Sequence, residues 1–305
     1  MRYLVTGAAG FIGSQLLRTL LERGHDATGL DAFTEYYDSA LKKENARDLP
    51  VVRADLVEDQ LDLDGVDGVF HLAGQPGVAS FGGVFPVYVR ENVLASQRLF
   101  EAAAAEGVRT LFASSSSIYG DAAAYPTPED TVPCPMSPYG VTKLACELLA
   151  RVYGTEFGLD AVTVRYFTIY GPRQRPDMAF TKMVSCLAEG RPFELFGDGM
   201  QSRSFIYVDD AVEATIAAME RGASGETFNV GGGTEVSMLD AIETLGRIAG
   251  RRLEVVRSTR REGDAARTAA DTTRIQAALG WEPSTPFEAG LAAQWRWAAD
   301  RVAGR

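Results

Sequence analysis

The sequence predicts an α/β protein, a doubly wound parallel sheet with a smaller, interleaved α+β part. Three observations carry this. A short apolar strand runs straight into a glycine turn and an amphipathic helix at the start of the chain. Strand-like and helix-like segments then alternate, as a parallel sheet requires, because each crossover needs a helix. After residue 167 that rhythm loosens into shorter strands and helices.

Each element has a local reason. Tyr3, Leu4 and Val5 form the first strand, and TGAAGFIG (6–13) follows at once. Leu16, Leu17, Leu20 and Leu21 then recur at helical spacing, and Gly24 stops the helix. A second strand over 27–30 ends in Asp31. A third runs from Val51 to its exit at Ala54, Asp55 and Leu56, and a fourth covers 68–73. A helix over 90–106 precedes a fifth strand at 110–113. The Pro-rich loop YPTPEDTVPCPMSP (125–138) leads directly into a helix over 139–153. A loop of that length in a compact domain reads as functional. A strand at 161–166 follows. Helices are expected near 178–189, 209–221 and 237–250, with short strands near 193–196, 205–207 and 226–230.

Composition bounds the function. The chain has 305 residues and a net charge of −11, which argues against general nucleic-acid binding. Forty-six per cent of its residues are hydrophobic, enough for a sizeable core. With two histidines, a His-rich metal site is not expected, and the expected metal set is none. Cys134, Cys146 and Cys186 form neither a CxxC nor an even disulfide framework, which points to a reducing compartment. No signal-like apolar run and no stretch of 18 apolar residues occurs, so a cytoplasmic protein without a membrane span is expected. His71 and Cys146 read as buried structural groups.

Three motifs carry chemistry. In the glycine turn, Gly7 permits the tight turn, Gly10 lets the backbone approach a pyrophosphate, and Gly13 allows close helix–strand packing. The turn follows a strand, opens a helix and has Asp31 18 positions past Gly13, the setting of a Rossmann dinucleotide site. The Asp31 carboxylate suits adenosine ribose hydroxyls and repels a 2′-phosphate, so the expected cofactor is NAD. Asp55 and Leu56, leaving the third strand, are expected beside the adenine, with a strand-end turn as the alternative role of Asp55. Second, Tyr139 and Lys143 lie four apart on a helix and share one face. An ammonium beside a phenol favours the phenolate, which makes such a pair a proton-transfer device. Third, the run 113–120, with Ser114, Ser115, Ser116 and Ser117, follows the fifth strand. Its hydroxyls therefore sit at the carboxyl end of the sheet, where ligands bind. A non-catalytic dinucleotide binder has no need for Tyr139, Lys143 and a nearby serine together.

TGAAGFIG, Asp31, HLAGQ (71–75), SSSSIYG (114–120), SPYGVTK (137–143) and RYFTIYGP (165–172) together resemble the extended short-chain dehydrogenase/reductases. More narrowly, the chain resembles the NAD-dependent nucleotide-sugar epimerases and dehydratases over essentially its whole length. The resemblance implies that a bound NAD acts at C4 of a nucleotide-linked hexose. Tyr139 would be the base, Lys143 its partner and ribose anchor, and Ser115 or Ser116 a hydroxyl relay. Around the cofactor it implies Phe11, Ile12, Leu72, Ala73, Gly74, Asn92, Ser114 and Tyr166. For the nucleotide it implies Arg203 and Arg261 on the diphosphate, Asp264 on the ribose, and Phe193 and Phe196 beside uracil. Residues 1–166, with 205–231 returning to them, would form the NAD-binding domain. Residues 167–204 and 232–305 would form the nucleotide-sugar domain. The resemblance also implies a homodimer through helices 90–106 and 139–153.

YFTIYGPRQRPDMAF (166–180), DAFTEYYDSALKKEN (31–45) and GQPGV (74–78) are most similar to the UDP-glucuronate 4-epimerases and the related UDP-glucuronate decarboxylases. This implies Arg175 on the sugar carboxylate, with Gln75, Ser117 and Thr168 lining the sugar pocket. An arginine fork matches a carboxylate. The decarboxylases carry a Glu where Ser117 stands, which favours epimerisation. Against that, PGVASFG (76–82) lacks the Arg of the epimerase pattern PGVRxSW, and RSF (203–205) replaces RDF. Both outcomes stay open from sequence. A neutral UDP-hexose epimerase and a 4,6-dehydratase rank lower, the latter because Asp-Glu is missing after the fifth strand.

Overall fold

The computed structural model describes residues 1–77, 82–259 and 265–303. The first elements are β1 (Arg2–Thr6), α1 (Phe11–Glu22), β2 (Asp26–Asp31), α2 (Ser39–Asn45), β3 (Val51–Arg53) and β4 (Gly68–His71). They are followed by α3 (Phe85–Tyr88), a π-helical stretch (Val89–Leu94) and α4 (Ala95–Glu106), which run on without a break. Next come β5 (Arg109–Ser115), α5 (Pro138–Phe157), β6 (Ala161–Tyr166), β7 (Thr168–Tyr170), α6 (Ala179–Glu189) and β8 (Phe193–Phe196). The chain continues through β9 (Ser202–Tyr207), α7 (Val208–Arg221), β10 (Thr227–Val230), β11 (Glu235–Ser237) and α8 (Met238–Ala249). It closes with β12 (Val255–Ser258), β13 (Arg267–Thr268), α9 (Thr273–Leu279) and α10 (Phe287–Ala303).

The main sheet has the order β10-β6-β5-β4-β1-β2-β3, and every neighbouring pair is parallel. After β1 the chain builds outward to β3, then returns to place β4 on the other side of β1. That reversal opens a crevice at the carboxyl ends of β1 and β4, where doubly wound sheets bind ligands. The α/β fold expected from sequence is therefore present. Both faces are covered, and β4 and β6 are buried at every position. Successive residues feed opposite cores. Val5, Phe70 and Leu111 join Leu16, Leu17 and Leu20 of α1, together with α7. Leu4, Val69 and Phe112 join Leu99, Phe100 and Ala103 of α4, together with Cys146 and Ala150 of α5.

Residues 227–230 return to this sheet as β10 beside β6. A second core gathers Tyr170, Phe180, Met183, Phe205, Met238, Leu245 and Leu291. Its strand β9 pairs antiparallel with β11 and parallel with β13 and β7. Ile275, Leu279 and Trp281 instead pack on the first core, so the segment around α9 crosses back.

Several boundaries differ from the sequence reading. The third strand stops at Arg53, because Ala54 and Asp55 turn away to form the cavity wall. The helix expected at 90–106 starts at Phe85 and carries the π-helical stretch, which one-residue periodicity arguments do not detect. The helix expected at 139–153 runs from Pro138 to Phe157 and ends at Gly158 in the left-handed conformation, φ 73°.

Candidate active site

One cavity follows the crevice from the glycine turn to the start of α5. Its wall includes Gly7, Gly10, Phe11, Ile12, Gly13, Asp31, Asp55, Leu56, Leu72, Ala73, Gly74, Ser114, Tyr139, Lys143 and Tyr166, all expected from sequence around a cofactor. Gln75 and Arg175, expected at the sugar, line the same cavity.

The glycine turn is sterically required. Gly7 has φ 72°, and a Cβ there would stand 2.9 Å from Ala73 N. A Cβ on Gly13 would stand 2.2 Å from Gly7 O, so the first turn of α1 can cross β1 only without one. Among the described residues, no side-chain cap covers the amino end of α1. Its backbone N–H groups are therefore directed at the cavity, which suits a pyrophosphate. Asp31 is buried at the end of β2. Its Oδ2 accepts from Ala9 N at 3.0 Å and its Oδ1 from Phe33 N at 2.7 Å. A glycine cradle with a carboxylate on the ribose side fits NAD.

Sequence reading missed part of this wall: Tyr36, Tyr37, Lys42 and Glu91. Lys42 Nζ lies 3.9 Å from Asp31 Oδ1, donates to Thr34 Oγ1 at 3.0 Å and sits 5.2 Å from the Tyr37 ring centroid. Burial lowers the Lys42 pKa, and Asp31 partly restores it. Burial also pushes the Tyr36 and Tyr37 phenols up to about 12, so both stay neutral. The available signal was Asp38, whose side chain accepts from Ala40 N at 2.9 Å and starts α2. That cap sets Lys42 one turn into the helix.

At the other end, Ser137 fixes where α5 begins. Its Oγ accepts from Gly140 N at 3.1 Å, and Pro138 occupies the first turn. Tyr139 and Lys143 thus enter the cavity wall from one helix face, next to the end of β5. Lys143 Nζ donates to Ala113 O at 2.8 Å and is almost wholly buried. The Tyr139 ring lies 6.3 Å from that of Tyr88, whose hydroxyl donates to Gly77 O.

Asn92 is buried behind the wall. Its Oδ1 accepts from Gln75 N at 2.7 Å, while its Nδ2 donates to Gln75 O at 3.2 Å and to Thr142 Oγ1 at 3.0 Å. It therefore clamps the loop after β4 to α5. Arg175 forms a fork–fork pair with Asp177, with Nε to Oδ1 at 3.0 Å and Nη2 to Oδ2 at 3.1 Å. Burial opposes its charge, but Asp177, joined by Tyr36 and Tyr139, more than offsets it and holds the guanidinium above its ordinary pKa.

Other expected residues stand outside this lining. Ser115 Oγ accepts from Ser117 N at 3.2 Å and donates to Ser117 Oγ at 3.0 Å, capping a 3-10 turn that carries Ser116. Thr168 sits in β7 against Phe205 of β9. Phe193 is buried in the second core, and Phe196 ends β8. Arg203 donates to Ser202 O at 2.8 Å and Ala265 O at 2.7 Å, facing the segment after β12. Arg261 and Asp264 lie outside the described residues, as does most of the loop 78–82. Among the described residues, no group of three or more His, Cys, Asp or Glu is placed to hold a metal ion. Nor is any described helix long and apolar enough to cross a membrane.

A glycine-cradled dinucleotide crevice that also holds a Tyr–Lys pair defines a short-chain dehydrogenase/reductase-type enzyme. The chain belongs to the NAD-dependent epimerase/dehydratase family, whose model matches residues 3–231. Over 303 residues it is 40% identical to an uncharacterized UDP-glucose epimerase, YtcB, of Bacillus subtilis, covering 95% of this chain and 96% of that one. It is 35% identical over 315 residues to a UDP-glucuronate 4-epimerase of Thermodesulfobacterium geofontis, covering 98% and 97%. Among solved structures it matches the UDP-glucuronic acid 4-epimerase of Bacillus cereus in complex with UDP-glucuronic acid and NAD. That match has a TM-score of 0.95 and 38% identity, covering 99% of this chain and 100% of that one. The family resemblance read from the sequence is thereby borne out.

Proposed function

We propose that this protein is a UDP-glucuronate 4-epimerase, interconverting UDP-glucuronate and UDP-galacturonate through a 4-keto sugar. The observation that carries the reading is the presence of Tyr139, Lys143 and Arg175 on one cavity wall. The relatives of that activity, matched along their full length, support it. Bound NAD supplies reversible acceptance of the hydrogen at sugar C4. Tyr139 takes the proton of the C4 hydroxyl and returns it after the ketone has turned its other face. Lys143 is pinned to the Ala113 carbonyl, one helical turn from Tyr139 on the same helix face.

Arg175 carries the specificity in this reading. A 4-keto glucuronate is a β-keto acid, and it loses carbon dioxide when its carboxylate stands perpendicular to the ketone plane. A guanidinium that fixes the carboxylate orientation restrains that loss. Ser115, Ser116, Ser117 and Thr168 belong to the sugar side. Arg203, Arg261 and Asp264 belong to the nucleotide, with Phe193 and Phe196 beside uracil. Residues 1–166 and 205–231 serve the cofactor, and 167–204 with 232–305 serve the nucleotide sugar.

The acting form is a homodimer. Phe85, Val87, Leu94, Leu148, Val152 and Phe157 expose apolar side chains on α3, the π-helical stretch and α5. Incubation of the NAD-loaded protein with UDP-glucuronate, followed by NMR, tests the reaction. The expected product is UDP-galacturonate with C6 retained. Release of C6 as carbon dioxide would make the protein a decarboxylase instead, the outcome that the sequence PGVASFG, without its arginine, keeps in play.

A further inference from the structure

Arg175 does not present its charge alone. Asp177, two residues on, takes the Nε and Nη2 donors side-on, at 3.0 and 3.1 Å. That pairing uses two of the five N–H donors of a guanidinium and directs the outer edge, Nη1 with the second Nη2 hydrogen, away from Asp177. Tyr36, from the loop before α2, donates to Asp177 Oδ2 at 3.4 Å, so the pair is also tied to the cofactor side of the cavity. The loop beneath is rigidly held. Gln174 is buried, donates to Ile169 O at 2.9 Å and accepts from Thr181 N at 3.0 Å and from Gln294 Nε2 at 3.0 Å. Gln294 in turn accepts from Gly171 N at 3.1 Å.

We propose that Asp177 is a specificity-determining positioning residue, acting through Arg175 to let the sugar pocket take neutral as well as acidic hexoses. An arginine that already carries an internal carboxylate offers the ligand geometry with little net charge. A sugar carboxylate meets a directed pair of N–H donors, and a neutral 6-hydroxyl can accept from the same donors. Lys42, another cation of this wall, already has Asp31 beside it, whereas Arg175 has Asp177 as its carboxylate partner. Removing it exposes the full Arg175 charge and shifts the preference toward the acid.

This inference rests on the assignment of Arg175 to the sugar carboxylate, and the test separates the two. Dissociation constants of UDP-glucuronate and UDP-glucose are measured by calorimetry on NAD-loaded protein, for the unaltered chain, Asp177→Asn, Arg175→Gln and the double variant. Asp177→Asn is expected to raise the preference for UDP-glucuronate by about tenfold, a charge-pair effect at short range in a partly buried site. In the Arg175→Gln background the same change is expected to leave the preference where it was. Asp177→Ser carries the same expectation and guards against a folding failure of the first variant. An unchanged or reversed preference in Asp177→Asn, or an equal shift without Arg175, overturns the role of Asp177. If Arg175→Gln alone leaves the preference unaltered, the assignment of Arg175 fails, and the Asp177 inference falls with it.

Discussion

The His71 imidazole is fully enclosed at the end of β4, with Thr6 Oγ1 2.8 Å from Nδ1 and Ser96 Oγ 2.9 Å from Nε2. Thr6 Oγ1 also accepts from Ala73 N at 3.2 Å, so the ring fixes the crevice floor where β1 and β4 part. Burial, with a smaller contribution from the Lys143 charge, lowers its pKa to about 3. It therefore stays neutral, as the sequence reading of a buried structural histidine expected. The sign of its pH effect follows. Below its unfolded value of ~6.5 the unfolded chain binds a proton that the folded chain refuses, so stability falls as pH falls from there toward 3. Between pH 6.5 and 5 this amounts to about 2 kcal/mol. Urea denaturation at pH 7 and pH 5 is expected to show that loss in the unaltered protein and not in His71→Asn. Equal losses in both would refute the assignment.

Individual side chains were legible where one motif contains all the parts. Gly7, Gly10 and Gly13 are readable from one strand–turn–helix motif, and Tyr139 and Lys143 need only helical spacing. Lys42, Tyr36 and Asp177 were not legible as site residues, because their roles depend on loops meeting across the cavity. Nor could spacing show that Ser115 turns onto Ser117.

Among the elements, the continuous run from α3 through the π-helical stretch to α4 bears on both catalysis and assembly. Tyr88 and Asn92 secure the loop 75–77, and the wider π-helical turn spaces these two residues differently from an ordinary helix. The opposite side of the run and the outer face of α5 leave Val87, Leu94, Leu148 and Val152 exposed. Leu148 is 45% and Val152 46% exposed, one turn apart. Such a face fits the proposed homodimer. Sedimentation velocity is expected to show a dimer for the unaltered chain and a monomer for Leu148→Glu combined with Val152→Glu. A monomeric unaltered chain would contradict the proposed assembly. At this scale the sequence showed α5 clearly, since Ser137, Pro138 and Gly158 punctuate it. It showed β7, β11 and β13 poorly, because two- and three-residue strands are stabilised by partners distant in the chain.

The whole molecule joins the main sheet, with a core on each face, to the separate core around Tyr170 and Phe180 across one crevice. The sheet order supplies a cofactor cradle at the carboxyl ends of β1, β2 and β4. The second core carries the pinned loop that brings Arg175 to the same cavity. The net charge of −11 argues against nucleic acid but does not describe the cavity, whose wall carries Asp31, Lys42 and Arg175. The central claim is that Tyr139 moves the proton while the fold holds NAD independently of it. The most direct measurement compares UDP-glucuronate turnover and bound NAD in the unaltered protein and in Tyr139→Phe. The account predicts that turnover falls by about 10²–10⁴-fold, the usual contribution of a positioned acid–base group, while NAD stays bound. Turnover in Tyr139→Phe equal to that of the unaltered protein would contradict it.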